Sequence, residues 1–230
     1  EILSETNHEN QEEIATILEQ TEKLDFLIQS LVKLSRMESG IIAVHSEDTT
    51  IAQMFASIQQ QFNVKVREKN ITLSLCDTDL HVRCDSKWTV EALGNIVDNA
   101  IKYTACGGNV QVKAEQNSFF VKIDIIDDGI GIEKEEIPKI FGRFYRSLSV
   151  ADQPGVGIGL FLAREIIQAQ KGYIKVTSKR GKGSTFSVFL PIAKKEYYQN
   201  CDISETRWRH CYDKVCIVKI NTGFFDGRMA

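Results

Sequence analysis

Asn95, Asn99 and Lys102 have the residue types and the spacing to meet a phosphate and its metal. Separations of four and then three residues stack them on one face of a helix. Leu93, Ile96, Val97, Ala100 and Ile101 fall on the opposite stripe, suited to a core. Amide oxygens are hard ligands of the kind magnesium takes, and that ion needs few from protein because it keeps most of its waters. A lysine ammonium meets phosphate as a point charge. Most polar helix faces are simply solvated, so this face alone leaves both readings open.

Two glycine-bearing turns extend the pattern. Residues 119–126 alternate apolar and polar, the periodicity of a strand. Asp127 stands at its end, and Gly129 and Gly131 follow, where a backbone must come close to something. An ordinary Asp-Gly turn reads the same way. Further on, Gly155, Gly157, Gly159 and Leu160 open a helix expected to run to about Gln170. Such a loop turns N–H groups and the positive end of the helix dipole toward an anion. Its G-x-G-x-G spacing is neither the dinucleotide fingerprint nor a Walker loop. Before it, Phe141, Phe144 and Tyr145 are rings that can anchor a mobile polar segment, while Arg143 and Arg146 can reach phosphate.

These residues need elements to hold them. Residues 50–66 read as a helix with Phe55, Ile58 and Phe62 inward, and 71–75 as a strand. Two alternating runs, 172–178 and 184–191, flank a Lys-Arg-Gly-Lys-Gly turn and read as a hairpin. The order helix, strand, helix, strands, lid, helix, hairpin predicts an α+β two-layer sandwich, one mixed sheet on three helices. Ahead of it, 11–37 lack glycine and proline, and Ile14, Ile17, Leu18, Leu24, Leu27, Ile28, Leu31 and Leu34 recur at helical spacing. That amphipathic helix cannot bury its stripe alone and asks for a partner helix.

Composition narrows the class. A net charge of −3 gives no electrostatic case for nucleic acid. No apolar run approaches the ~18 residues of a membrane helix, and no signal peptide is visible. Six cysteines form no C-x-x-C pair, which fits a reducing cytoplasm. In the tail, Cys201, Cys211 and Cys216 are spaced unlike usual zinc ligands, and His210 does not repair this. An extension without a metal is expected there.

Taken together and in order, Asn95–Tyr103, Asp127–Ile132, Phe141–Arg146 and Gly155–Leu160 resemble the ATP-binding domain of sensor histidine kinases, a branch of the GHKL superfamily. The resemblance implies ATP and Mg²⁺ as ligands. It implies that Asn99 holds Mg²⁺ and that Asn95, Lys102 and Tyr103 contact metal, phosphates or adenine, with Asn95 counted among the metal ligands. Asp127 would meet the adenine amino group beside Gly129 and Gly131. Arg143, Arg146, Gly155, Gly157, Gly159 and Leu160 would bind the nucleotide, and Thr185 would lie near the adenine. The run from Leu31 to Gly40 is similar to the end of a second dimerisation helix. The implied domains are 1–45, a remnant of that helix; 46–192, the catalytic domain; and 193–230, an extension.

A complete kinase of this kind carries a phosphoacceptor histidine followed by Glu or Asp and then Thr-Pro. His8 has only the glutamate and lies too near the helix end for a hairpin, so the acceptor is expected to be missing and the chain truncated. The chain alone is then expected to bind ATP, not to phosphorylate itself, and to associate through its N-terminal helix. Three activities stay open: a histidine kinase feeding a response regulator, and homodimeric at full length; a gyrase- or Hsp90-like ATPase, for whose catalytic glutamate Glu91 can be mistaken; or a non-catalytic ATP-binding module. The Leu-Ser-Arg-Met-Glu helix end and the Phe-Gly-Arg-Phe-Tyr-Arg box favour the kinase.

Overall fold

The computed structural model describes residues 11–192, except 12, 15, 19, 22, 23, 26, 30, 33, 34, 36–43, 148, 149, 151, 152 and 154. His8, most of the run up to Gly40 and the cysteines of the tail lie outside the described residues. The described residues between 11 and 35 are helical. Most of the described apolar side chains of that helix are exposed, Ile17 at 64%, while Leu27 packs against the core. No described helix is long and apolar enough to cross a membrane.

Strand β1 (Glu47–Thr50) pairs antiparallel with β3 (His81–Cys84) in a small sheet of their own. The main sheet has five strands in the order β2 (Thr72–Leu75), β4 (Asn109–Gln116), β5 (Phe120–Asp127), β7 (Ser184–Pro191) and β6 (Tyr173–Ser178). Only β2 and β4 run parallel. Helices α1 (Ile51–Glu68), α2 (Ser86–Tyr103) and α3 (Gly159–Ala169) supply the second layer. This is the α+β sandwich expected. The additions are β1 and β3, four-residue strands: β1 buries only Thr49, and in β3 the exposed Arg83 separates the buried Val82 and Cys84.

The core forms where the strands' alternate residues meet the helices. Val110 and Val112 from β4, Val121, Ile123 and Ile125 from β5, and Phe186, Val188 and Leu190 from β7 are buried with Leu93, Ile96, Val97 and Ile101 of α2. The apolar stripe of α2 therefore faces the sheet, as its spacing requires. Its polar stripe is left at one rim.

Both ends of α2 are tied down. The Asp85 side chain accepts from Trp88 N at 3.1 Å, an N-cap bond. Gln170, just past α3, accepts from Asp85 N at 2.7 Å and from the Thr89 hydroxyl at 3.2 Å. At the other end Lys69 Nζ donates to the carbonyls of Ile101 and Lys102, at 2.8 and 2.6 Å. A cation on the last carbonyls offsets the helix dipole.

The turn between β6 and β7 packs against the loop after β5. Gly183 has φ +86°, and a Cβ placed on it would lie 1.9 Å from Asp127 O. A side chain there meets both left-handed strain and backbone it cannot displace. Gly183→Ala should therefore cost about 2–4 kcal/mol, read as a lowered urea midpoint. An unchanged midpoint would show that the turn yields freely.

Candidate functional site

The polar rim of α2 opens into a cavity of about 900 Å³. That lies within the range of small-molecule sites. Asn95, Asn99, Lys102 and Tyr103 line it from α2, Asp127 and Gly131 from the end of β5, Arg146 from the segment before the glycines, and Gly155, Gly157, Gly159 and Leu160 from the glycine loop and the start of α3. Eleven of the residues singled out by spacing and motif thus converge on one space, although they span more than sixty positions.

Asp127, at the end of β5, is 7% exposed. Its Oδ1 accepts from Gly129 N at 2.9 Å and from Ser184 N at 3.2 Å. Burial pushes its carboxyl above the usual range; the two N–H donors oppose this, and the neighbouring Asp128 charge adds to it. Oδ2 has no hydrogen-bond partner among the described residues, which leaves one carboxylate oxygen for whatever enters the cavity. Gly131 is indispensable to the turn: its φ is +67°, and a Cβ would lie 2.2 Å from Lys179 O.

The glycine loop lies against α2. A Cβ on Gly155 would come 2.7 Å from Lys102 Nζ, and one on Gly159 would come 3.0 Å from Asn95 Oδ1. The glycines keep open the space beside an ammonium and an amide oxygen. Asn95 Nδ2 donates to Glu91 O at 3.0 Å, so its Oδ1 is the atom turned to that space. Burial, with Arg146 close by, lowers the Lys102 pKa below that of an ordinary lysine. Burial raises the Tyr103 hydroxyl.

Three expected site residues are placed otherwise. Thr185 lies on the far face of β7, since successive strand residues point to opposite faces and it is Ser184 and Phe186 that line the cavity. Ser184 is therefore the hairpin residue at the site. Phe186, Val188 and Leu190 alternate as inward residues, and Ser184 shares their parity, a signal present in the sequence. Arg143 does not line the cavity; its guanidinium stacks 4.6 Å over the Phe161 ring. Gly129 is a packing glycine, its absent Cβ only 2.5 Å from Tyr103 O.

Arg146 does line the cavity, but its Nη2 also donates to Val150 O at 2.9 Å and to Gln153 O. It thus grips the segment's backbone at Val150 and Gln153, a role beyond the reach toward phosphate expected of it. Tyr145 OH donates to Glu136 at 3.2 Å and holds the same segment from the other side. Tyr145 was expected to anchor this segment through its ring; its partner Glu136 was not singled out.

Residues 84–194 match the family described as histidine kinase-, DNA gyrase B- and HSP90-like ATPase. The chain carries an ATPase domain of that family. Among curated proteins it is 32% identical over 182 residues to the sensor histidine kinase WalK of Bacillus subtilis, covering 77% of this chain and 30% of that protein. It is 29% identical over 191 residues to the sensor protein SrrB of Staphylococcus aureus, covering 80% and 32%. The chain thus spans about a third of the length of these curated relatives. Among solved structures, a mycobacterial sensor histidine kinase, MprB, superposes with a TM-score of 0.57 at 26% identity, over 64% of this chain and 97% of that one. The catalytic domain of histidine kinase ThkA gives 0.56 at 25%, over 64% and 95%. The ATPase domain is of the ATP-binding, histidine kinase catalytic type.

Proposed function

We propose that this ATPase domain serves a sensor histidine protein kinase, passing the γ-phosphoryl of ATP to a histidine imidazole for relay to a response-regulator aspartate. The observation that carries it is the polarity of the cavity. A buried carboxylate with one oxygen held and one open lines it. A lysine, two asparagines and a glycine-lined helix start line it as well. This suits a base with an exocyclic amino group joined to a polyanion.

In this reading Asp127 Oδ2 accepts from the adenine amino group, with Ser184 beside it. Lys102, Arg146 and the N–H groups at the start of α3 hold the phosphates. Asn95 and Asn99 are the residues that would hold Mg²⁺. They fit it: the Asn95 oxygen faces a space that any side chain on Gly159 would fill, and amide oxygens are ligands this ion accepts. Bound there, the ion neutralises phosphate charge. The chain's own part is positioning, which is most of what phosphoryl transfer requires. The exposed apolar stripe of the N-terminal helix supports a homodimer in the full-length kinase.

The relatives named above favour a kinase over hydrolysis. The test supplies labelled ATP with a dimerisation-helix peptide bearing a histidine. Acid-labile, base-stable label on the peptide is expected. Free phosphate with no labelled peptide would support the ATPase reading instead.

A further inference from the structure

Ser178, on β6, does not itself line the cavity, yet its hydroxyl is the hub of a small network beside the site. It accepts from Ile132 N at 2.8 Å and lies 2.9 Å from Gly183 O and 2.9 Å from the Ser184 hydroxyl. Ser184 and Ile132 both line the cavity. The Ser184 N–H is committed to Asp127 Oδ1, so its hydroxyl is the donor it has left for a ligand.

A hydroxyl has one proton and must choose how to spend it. The Ile132 N–H can only donate, so it takes up lone-pair capacity on Ser178. Ser178's own proton then goes either to the Gly183 carbonyl or to Ser184. In the second arrangement the bonds run head to tail, from Ile132 N–H through Ser178 to Ser184, each polarising the next. The Ser184 proton is thereby released toward the cavity. A purine presented to Asp127 by its 6-amino group places an acceptor, ring nitrogen N1, next to that amino group.

We propose that Ser178 is a positioning residue for base selection, holding the Ser184 hydroxyl so that it donates to N1 of the adenine while Asp127 accepts from the amino group. This rests on the placement of adenine against Asp127. Base recognition then needs two side chains that touch the ligand and one that does not.

The test compares the binding of ATP, 1-deaza-ATP, which lacks N1, and purine riboside triphosphate, which lacks the amino group. Titrations of the full chain and its variants supply the affinities. The wild type should prefer ATP to 1-deaza-ATP by about three- to tenfold, the span of one neutral hydrogen bond. In Ser178→Ala that ratio should fall to about one while the preference over purine riboside triphosphate persists; Ser178→Thr should restore it. A merely structural role would weaken all three ligands alike. A ratio in Ser178→Ala equal to the wild type's, or a wild-type ratio near one, overturns the role of Ser178. Purine riboside triphosphate binding the wild type as tightly as ATP overturns the Asp127 reading first, and this proposal with it.

Discussion

Asn99→Ala should lower phosphoryl transfer to a supplied histidine peptide by about a hundredfold or more, the scale of loss when one fixed electrostatic contact to a reacting group is removed. Asn99 lies one turn beyond Asn95 on the cavity face of α2 and is half-buried. Alanine is a better helix former than asparagine, and the adjacent core residues Ala100 and Ile101 are untouched. Folding stability should therefore change little. Nucleotide affinity without added metal should persist, while its enhancement by Mg²⁺ should vanish. Initial rates of peptide labelling, beside titrations with and without the ion, read out both. A variant that still transfers at the wild-type rate would remove Asn99 from the site.

Asp127→Asn should invert base preference as well as weaken ATP. In the wild type Oδ1 is held by two backbone N–H groups. The asparagine carbonyl must take that place, which turns its amide nitrogen toward the ligand. A donor then meets the adenine amino group, also a donor. Losing a charged acceptor costs about 1.5–3 kcal/mol, a ten- to hundredfold loss in ATP affinity. The guanine 6-carbonyl would meet the same nitrogen favourably, so GTP should lose far less or gain. Calorimetry with both nucleotides decides it, and equal affinity of the wild type for both would remove the role given to Asp127.

The same residue sets a pH dependence with two opposite signs. Its carboxyl titrates above the usual range because it is buried. For folding, the protonated form is favoured, so its contribution is full below the unfolded carboxylate range and is lost as pH rises through the raised value. For binding, the proposed contact to the adenine amino group requires the carboxylate form. Affinity should therefore fall as pH drops through that raised value. ATP's own titration is common to both proteins, so the wild-type profile minus that of Asp127→Asn isolates the effect.

How much of this was legible depended on whether local spacing or tertiary placement decides. The α2 face was legible because one helix fixes Asn95, Asn99 and Lys102 relative to one another. The Asp127 turn was legible because glycines mark where backbone approaches backbone. Thr185 stands one residue from the cavity-lining Ser184, and in a strand one residue is a change of face. Arg143 and Arg146 stand three apart in an irregular segment with no periodicity to orient them. Only the folded chain shows that one lies on Phe161 and the other grips Val150 and Gln153. The Ser178 network was not legible because its three partners come from two different turns.

Strand β7 lies in the interior of its sheet, between β5 and β6, yet follows every other described element in the chain. During synthesis it is made last of these. Until it emerges, β5 keeps one open edge, and Asp127 lacks both the Ser184 N–H and the wall that Phe186 provides. ATP therefore cannot template the folding of a nascent chain that ends before residue 184. The non-local pairing of β5 with β7 must close first, and such pairing is slow. Ligand rescue of a destabilised variant should accordingly act on the released protein and leave early, ribosome-bound degradation unchanged.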